Sequence, residues 1–471
     1  MNKQSIIDQL SSIISDFSNR IPVAQYINSK STEYKDVEIK QLTEQLTKLK
    51  DLLGTNALYQ EIISKIGCST TVSKENAKII KEQLLKLKSD IEVKRILVIG
   101  NGFDLAHGFP TRYCDFLDFC LKVKLLFSNN SSKHDGKWAN ELINKWEFND
   151  TIKQLLYNTF IGSVDSYKKY INEIIELIDS NIWYQYFHVL FMESSLKNKT
   201  WIDFESEIAK QVKAVESYVD EYLGQKKDTI EKPKLLSSYT KAVSDPLSID
   251  DINTFISDMY IDLNRLTRAL EIYLSVFIQA VRIKNKVSDI EPYKYDYVLS
   301  FNYTDTFERY YLDIMYCDSI ICYPHGKADK SHSISNCNLV LGIDEYLPED
   351  LRDEKLTFLQ FKKFYQRIFK ETDKHHSKWI DSIRSSKTNK YEVHFFGHSL
   401  DITDKDILTA LIQNENVQTK VFYYVAYEDD KSDLSTKIHN LVKVLGQKDL
   451  IERTSGGEKN TIVFIPQKFT L

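Results

Sequence analysis

Long apolar runs are missing from this chain. No stretch of its 471 residues approaches the ~18 consecutive apolar positions that a membrane-spanning helix needs. The first residues form a polar amphipathic segment, unlike the charged-then-apolar pattern of a secretory signal. The expectation is a soluble, cytoplasmic protein with no membrane partner. Cysteine is sparse and unpatterned: Cys68, Cys114, Cys120, Cys317, Cys322 and Cys337 include no C-x-x-C pair and no histidine at zinc-finger spacing. That excludes a zinc-finger site of this kind, and reduced thiols are expected. An excess of one charge is also absent: a net charge of −5 and a pI of about 6.1 exclude wholesale nucleic-acid binding through a basic surface. Glycine (14) and proline (8) are few, whereas tyrosine (28) and phenylalanine (24) abound, a balance suited to long helices packed with aromatics. No solenoid-type repeat is visible.

What is present falls into two parts. Residues 1–92 read as a helical module, with Ile6, Ile7, Leu10, Ile13, Ile14 and Phe17 at helical spacing. Leu42, Leu46, Leu49, Leu52 and Leu53 repeat the pattern, as do Ile79, Ile80, Leu84, Leu85 and Leu87. The stripes are too short for a long coiled coil, so a small bundle or a homo-oligomerisation module is expected. Residues 93–471 read as an α/β domain interrupted by a helix-rich insertion over about 113–292, in which Ile171–Ile178 and Ile261–Val276 mark helices. The polar centre of Lys122–Trp146 reads as a loop.

The α/β domain is organised around Ile96-Leu97-Val98-Ile99, a short branched run that suits a strand buried on both faces. It stops at Gly100-Asn101-Gly102, followed by Asp104, and the next helix is expected near Thr111. A strand running into G-x-G is a candidate phosphate or ribose cradle, although a third glycine is lacking where Leu105 stands, and a tight turn without a ligand fits as well. The pattern then recurs. Tyr295–Phe301 ends in Asn302-Tyr303-Thr304-Asp305, Ser319–Tyr323 in Pro324-His325-Gly326, Leu339–Leu341 in Gly342-Ile343-Asp344, and Val393–Phe396 in Gly397-His398-Ser399-Leu400-Asp401. Lys420–Ala426 and Thr461–Ile465 supply further strands, with an amphipathic helix between them. Serial apolar strands, each stopping at a small polar cluster, predict a mostly parallel, doubly wound, Rossmann-like sheet with its ligand across the strand carboxyl ends.

Each polar residue also has a structural reading. Asn302 suits a helix cap, His325 a turn, and His107 and His398 a glycine-turn neighbour. Trp201-Ile202-Asp203-Phe204-Glu205 reads as a helix start with a cap and a buried Trp, in preference to a catalytic acid. Asp401, Asp404 and Asp406 have the chemistry to hold Mg²⁺, but Asp404 reads better as an N-cap with Asp406 in the first turn, and no metal is expected.

The series I-G-N-G-F-D-L-A-H-G, S-F-N-Y-T-D, P-H-G, G-I-D and F-G-H-S-L resembles AbiH-type bacterial abortive-infection proteins over about residues 95–465. More distantly it is similar to sirtuin-like NAD-binding folds. Thr304 stands where the sirtuin-like pattern has Asp, with Asp305 one position later, and Asn101 where it has Ala. The resemblance implies an anti-phage effector that binds NAD or a related nucleotide and hydrolyses it to nicotinamide and ADP-ribose, under a phage-derived trigger. It puts Asn302, His325 and Asp305 among the catalytic groups, and Gly100, Asn101, Gly102, Asp104, Gly397, His398, Ser399 and Leu400 around the nucleotide. The chemistry is economical, because nicotinamide leaves NAD as a neutral molecule without a general acid. Asn302 offers a donor and an acceptor to ribose or water, His325 a base, and Asp104, Asp305 or Asp344 a negative charge beside the oxocarbenium-like centre. The alternatives are a metal-dependent nuclease or nucleotide hydrolase using Asp401, Asp404 and Glu205, and a non-catalytic nucleotide-sensing scaffold.

Overall fold

The computed structural model describes residues 7–15, 44, 46–47, 57–67, 74–128, 134–192, 201–223, 232–237, 239, 248–283, 285–312, 320–343, 358–372, 376–385, 390–457 and 459–467. Asp344, the expected loop at residues 129–132, and the stripe positions Ile6, Phe17, Leu42, Leu49, Leu52 and Leu53 lie outside these.

Six strands form one parallel sheet: β1 (Lys94–Ile99), β2 (Tyr297–Ser300), β3 (Ile320–Cys322), β4 (Tyr391–Phe396), β5 (Val417–Tyr423) and β6 (Ile462–Pro466). Their spatial order is β3-β2-β1-β4-β5-β6. The chain winds outward from β1 to β3, then returns to the other side of β1 for β4. That reversal puts the topological switch point between the carboxyl ends of β1 and β4, where doubly wound sheets place their ligands. Register is continuous there, with Ile99 opposite Ser300 on one side and Phe396 on the other.

The branched residues of β1 divide between two cores, as a strand covered on both faces requires. Ile96 and Val98 pack with Val393, Phe395, Leu408, Leu411 and Leu441, beneath the helices Lys405–Ile412 and Ser432–Leu445. Leu97 and Ile99 pack with Val298, Phe103, Phe307 and Phe396 on the opposite face. A third core belongs to the insertion, where Phe116, Phe119, Trp183, Phe187, Tyr273 and Phe277 are buried among its helices. Trp183 donates its indole N–H to the Met259 carbonyl at 2.8 Å, so even the largest buried ring has its polar atom satisfied. Before the sheet, the helices Ala57–Gly67 and Lys74–Glu92 pair with one another, burying Ile62, Ile80, Leu84 and Leu87. Among the described residues no helix is long and apolar enough to cross a membrane.

Four expectations need correction. The residues after Gly100 form a six-residue helix, Asn101–Ala106, in place of an irregular polar turn, and the following helix starts at Tyr113. That helix runs on to Phe127, and Gly136–Asn144 is helical too, so both flanks of the loop expected over Lys122–Trp146 are helix. Leu339–Leu341 is not a strand. Its backbone is captured by a side chain: Gln366 accepts from the Leu341 N–H at 3.1 Å and donates to the Leu341 carbonyl at 3.0 Å, taking the groups a ladder would use. The charged segment Gln447–Thr454 forms an additional helix, held by Arg453, whose guanidinium donates to the Ile412 and Gln413 carbonyls.

Candidate functional site

Two glycine loops cross at the switch point. A Cβ on Gly100 would stand 2.7 Å from the His398 Cα, and one on Gly102 2.6 Å from the Gly397 Cα. A Cβ on Gly397, itself at φ +64°, would stand 2.2 Å from the Phe103 nitrogen. The close approach that demands glycine here is therefore between the two loops. The amides of Gly100, Gly102 and Phe103 donate to the carbonyls of Phe396, Gly397 and Gly100. Asn101 ties the turn down by accepting from the Thr111 hydroxyl at 2.7 Å and donating to the Thr111 carbonyl. On the second loop, Leu400 is buried at φ +59°, a conformation a branched residue holds only under constraint. The constraint comes from the helix Ser432–Leu445: Lys437 donates to the His398 carbonyl at 2.8 Å and Asn440 to the Ser399 carbonyl at 3.0 Å.

Around this crossing, four stretches distant in sequence deliver one buried cluster. His325 Nε2 lies 3.1 Å from Asp404 Oδ1, and His398 Nε2 lies 3.5 Å from Asp404 Oδ2. Lys363 Nζ stands 3.8 Å from Asp404 Oδ1 and 2.8 Å from Glu205 Oε2. Phe301 sits edge-on to both imidazoles. Each partner is placed by backbone geometry. Gly326 takes φ +84° where a Cβ would strike the Asn338 carbonyl at 2.2 Å, and the Val340 N–H donates to the His325 carbonyl at 2.8 Å. Tyr303 secures the same loop by donating its hydroxyl to the Val340 carbonyl at 2.7 Å. The isolated bridge between Ile343 and Lys362 sets the start of the helix Lys363–Phe369.

Protonation follows from the donors. The Leu400 N–H donates to His398 Nδ1 at 2.9 Å, so the proton of neutral His398 is on Nε2 and faces Asp404. Burial alone would raise the Asp404 carboxyl, but the Lys363 ammonium and the two imidazole donors hold it well below the usual carboxylate range. An acceptor-only Asp404 requires the His325 proton on Nε2, leaving the Nδ1 lone pair available. Burial, with the Lys363 ammonium adding to it, pushes His325 down to about 4 against the pull of Asp404, so the ring is neutral at pH 7. One ammonium cannot fully compensate two carboxylates. Glu205 has no imidazole donor among the described residues, and burial pushes it up to about 7.

A second buried group lies at the ends of β1 and β2. Asp104 Oδ2 accepts from the Thr304 hydroxyl at 2.6 Å, while Oδ1 is buried without a hydrogen-bond partner. Burial pushes Asp104 up to about 6. Asn302 is buried two residues past β2, and its Nδ2 also lacks a partner. Buried polar atoms are rarely left so, and in a cleft they mark where a ligand or water completes the bonding.

The structure therefore gathers His325, His398 and Asp404 directly and sets Asn302 and Asp104 at the neighbouring strand ends. Asp305 turns elsewhere, accepting from Gln279 Nε2 at 3.1 Å with Arg309 at 3.9 Å. Asn302 does not cap the next helix, which is Thr306–Tyr311 with Asp305 at its N-cap position. His107 is structural: the Val287 N–H donates to the Tyr311 hydroxyl, which donates to His107 Nε2, leaving His107 Nδ1–H for the Phe103 carbonyl. Asp401 caps its own turn by accepting from Thr403, and Asp406 pairs with Arg367 at 2.9 Å. Asp404 does occupy the N-cap position before Lys405–Ile412, yet its side chain belongs to the cluster. Glu205 is likewise a cluster member rather than a cap, while the side chains of Trp201 and Asp203 lie outside the described set. Lys363, which the sequence reading missed, follows no motif; only the fold brings it to Glu205 and Asp404. Among the described residues no group of three or more His, Cys, Asp or Glu side chains is arranged to hold a metal ion.

Comparison with curated proteins and with solved structures finds no match. A family model described as "Bacteriophage abortive infection AbiH" matches residues 96–425, from the first strand through the end of the fifth. The match takes in β1 to β5, the insertion and every residue of the buried cluster, and the chain belongs to the AbiH family of bacteriophage abortive-infection proteins.

Proposed function

We propose that this protein acts in abortive infection by hydrolysing the N-glycosidic bond of NAD or a closely related nucleotide. The observation that carries the reading is the neutral His325, locked by Asp404 so that its basic Nδ1 is free for proton transfer, with Phe301 edge-on to its ring and the unpartnered Asn302 amide on the next residue. Water attacks the ribose anomeric carbon and gives its proton to His325 Nδ1. The glycosidic electron pair passes to the nicotinamide nitrogen and cancels its positive charge, so no acid is needed at the leaving group. Asn302 Nδ2 supplies a donor to a ribose oxygen or to the water. The Asp104 carboxylate offers negative charge to the oxocarbenium-like centre, as in glycoside hydrolysis. The Lys363 ammonium stands between Glu205 and Asp404, where the rival metal mechanism would need a cation. Gly100, Gly102 and Phe103 have spent their amides on backbone bonds, so the reading assigns the ligand to the side chains around the crossing rather than to a glycine cradle.

The test is incubation of the purified protein with NAD, with and without EDTA, measuring nicotinamide and ADP-ribose, alongside His325→Ala and Asn302→Ala. Loss of a general base predicts a fall of about 10²- to 10⁴-fold in His325→Ala, insensitive to EDTA in the parent protein. Release that survives His325→Ala, or that EDTA abolishes, refutes the assignment.

A further inference from the structure

Asp104 Oδ1, just past β1, and Asn302 Nδ2, just past β2, are buried polar atoms without a hydrogen-bond partner. Both side chains are more than nine-tenths buried, and Ile99 and Ser300, paired at the ends of their strands, set the two stretches side by side. The protein's own donors near Asp104 are committed. The Thr304 hydroxyl donates to Oδ2 at 2.6 Å, and the Thr306 hydroxyl supports that bond by donating to Thr304 Oγ1 at 3.1 Å. Arg309 is turned to the Gln279 carbonyl and the Tyr310 hydroxyl, and Tyr323 donates to Glu308 at 3.0 Å.

An acceptor and a donor together select the chemistry of what completes them. A cation suits the carboxylate but is repelled by the amide N–H, and among the described residues no group of three metal ligands includes Asp104. A phosphate suits the amide but is repelled by the carboxylate. An uncharged hydroxyl, which donates and accepts, suits both, and a vicinal pair gives each atom its own partner. We propose that Asp104 Oδ1 and Asn302 Nδ2 take the vicinal hydroxyls of a ribose, so that the substrate class is a ribonucleotide with a free 2′-hydroxyl and 2′-deoxyribose is rejected. The inference rests on the nucleotide reading above and adds which sugar is taken: within NAD, the ribose that carries nicotinamide. A hydroxyl donating to Oδ1 favours the ionised carboxyl. Binding therefore draws a proton off Asp104, whose free value of about 6 is set by burial, with Asp305 raising it and the Thr304 and Thr306 hydroxyls and Arg309 lowering it.

The experiment is titration calorimetry at pH 6 on the full chain carrying His325→Ala, with and without Asp104→Asn, in two buffers of different ionisation enthalpy. The ligands are NAD and its analogue lacking the 2′-hydroxyl on the nicotinamide ribose. Asp104→Asn is expected to weaken NAD about tenfold or more and the analogue little, as loss of a hydrogen bond to a charged group requires. With Asp104 half-protonated at this pH, NAD should release about half a proton more from the protein that keeps Asp104 than from the one that lacks it. An equal loss of affinity for NAD and the analogue, or equal proton release in the two proteins, overturns the proposal and leaves Oδ1 to an ordered water only. AMP and 2′-deoxy-AMP, titrated alongside, separate this inference from the reading beneath it. If NAD does not bind but AMP does, with the same need for the 2′-hydroxyl and for Asp104, the ribose site stands and the NAD assignment falls. If NAD binds and the parent cleaves it with no preference for the 2′-hydroxyl, the reverse holds. Failure of every ribonucleotide to bind overturns the ribose site.

Discussion

Replacing Asp104 by Asn is expected to make the protein more stable and less able to do its work. Asp104 is 1% exposed, accepts from one hydroxyl at Oδ2 and has nothing on Oδ1. Burial lifts its pKa from 3.8 to about 6 despite the help of Thr304 and Thr306. A rise of about two units corresponds to about 3 kcal/mol at ~1.36 kcal/mol per unit. The sign follows from linkage: with the folded pKa above the unfolded one, the favourable contribution is complete below about 4. It is lost as pH rises through 6, so at pH 7 the ionised carboxylate costs nearly the full amount. Asn fills the same space, keeps an oxygen for Thr304 and does not titrate. The stability difference between Asp104→Asn and the parent should therefore move in favour of the variant by about 2 kcal/mol between pH 4 and pH 7, as read by urea unfolding across that range. NAD turnover should fall, because the charge retained at a cost in stability is the one offered to the ribose. A stability difference that does not vary with pH refutes the burial argument, and full activity in Asp104→Asn refutes the assigned role.

Other consequences are as direct. Gly397→Ala forces a Cβ into the Phe103 nitrogen at 2.2 Å and an alanine to φ +64°, so it should unfold or strongly destabilise the domain, lowering Tm well beyond the few degrees of an ordinary surface change. In Asp104→Asn, which removes the carboxyl that titrates near 6, the acidic limb of the residual kcat/KM profile should lie near 4, where His325 titrates, and a limb near 6.5 would show that the base is another group. The same depressed pKa makes folding stability fall as pH drops from 6.5 toward 4, since the unfolded chain takes up the proton that the buried imidazole refuses. Arg268→Met strands the buried Glu271, which Arg268 holds at 2.6 Å, and should cost about 3–5 kcal/mol in denaturant unfolding. A loss below 1 kcal/mol would mean that His332 and the Asp329 N–H, the other partners of Glu271, compensate.

The parallel sheet was legible because β1, β2 and β4 carry apolar runs cut off by glycine or asparagine, a pattern few other structures need. The same reading failed at Leu339–Leu341, where an equally apolar run is bonded by Gln366, a residue whose reach no periodicity reports. It also failed at Asn101–Ala106, because two closely spaced glycines look like a turn when their role is to let two loops cross. His325 and Asn302 could be singled out from their places after strands. Their electrostatic partners could not: Asp404 looked like a helix cap, Glu205 stood in the insertion, and Lys363 carried no motif. A cluster assembled from segments far apart in the chain leaves no spacing to read, and Asp305, one position off the sirtuin-like pattern that put it among the catalytic groups, pairs instead with Gln279 and Arg309.

The most direct test of the account is the NAD content of bacteria carrying this protein, followed through phage infection beside a strain carrying His325→Ala. The account predicts that NAD falls and nicotinamide and ADP-ribose rise as growth stops in the first strain, and that NAD holds in the second while phage spread. Growth arrest with NAD intact would contradict it.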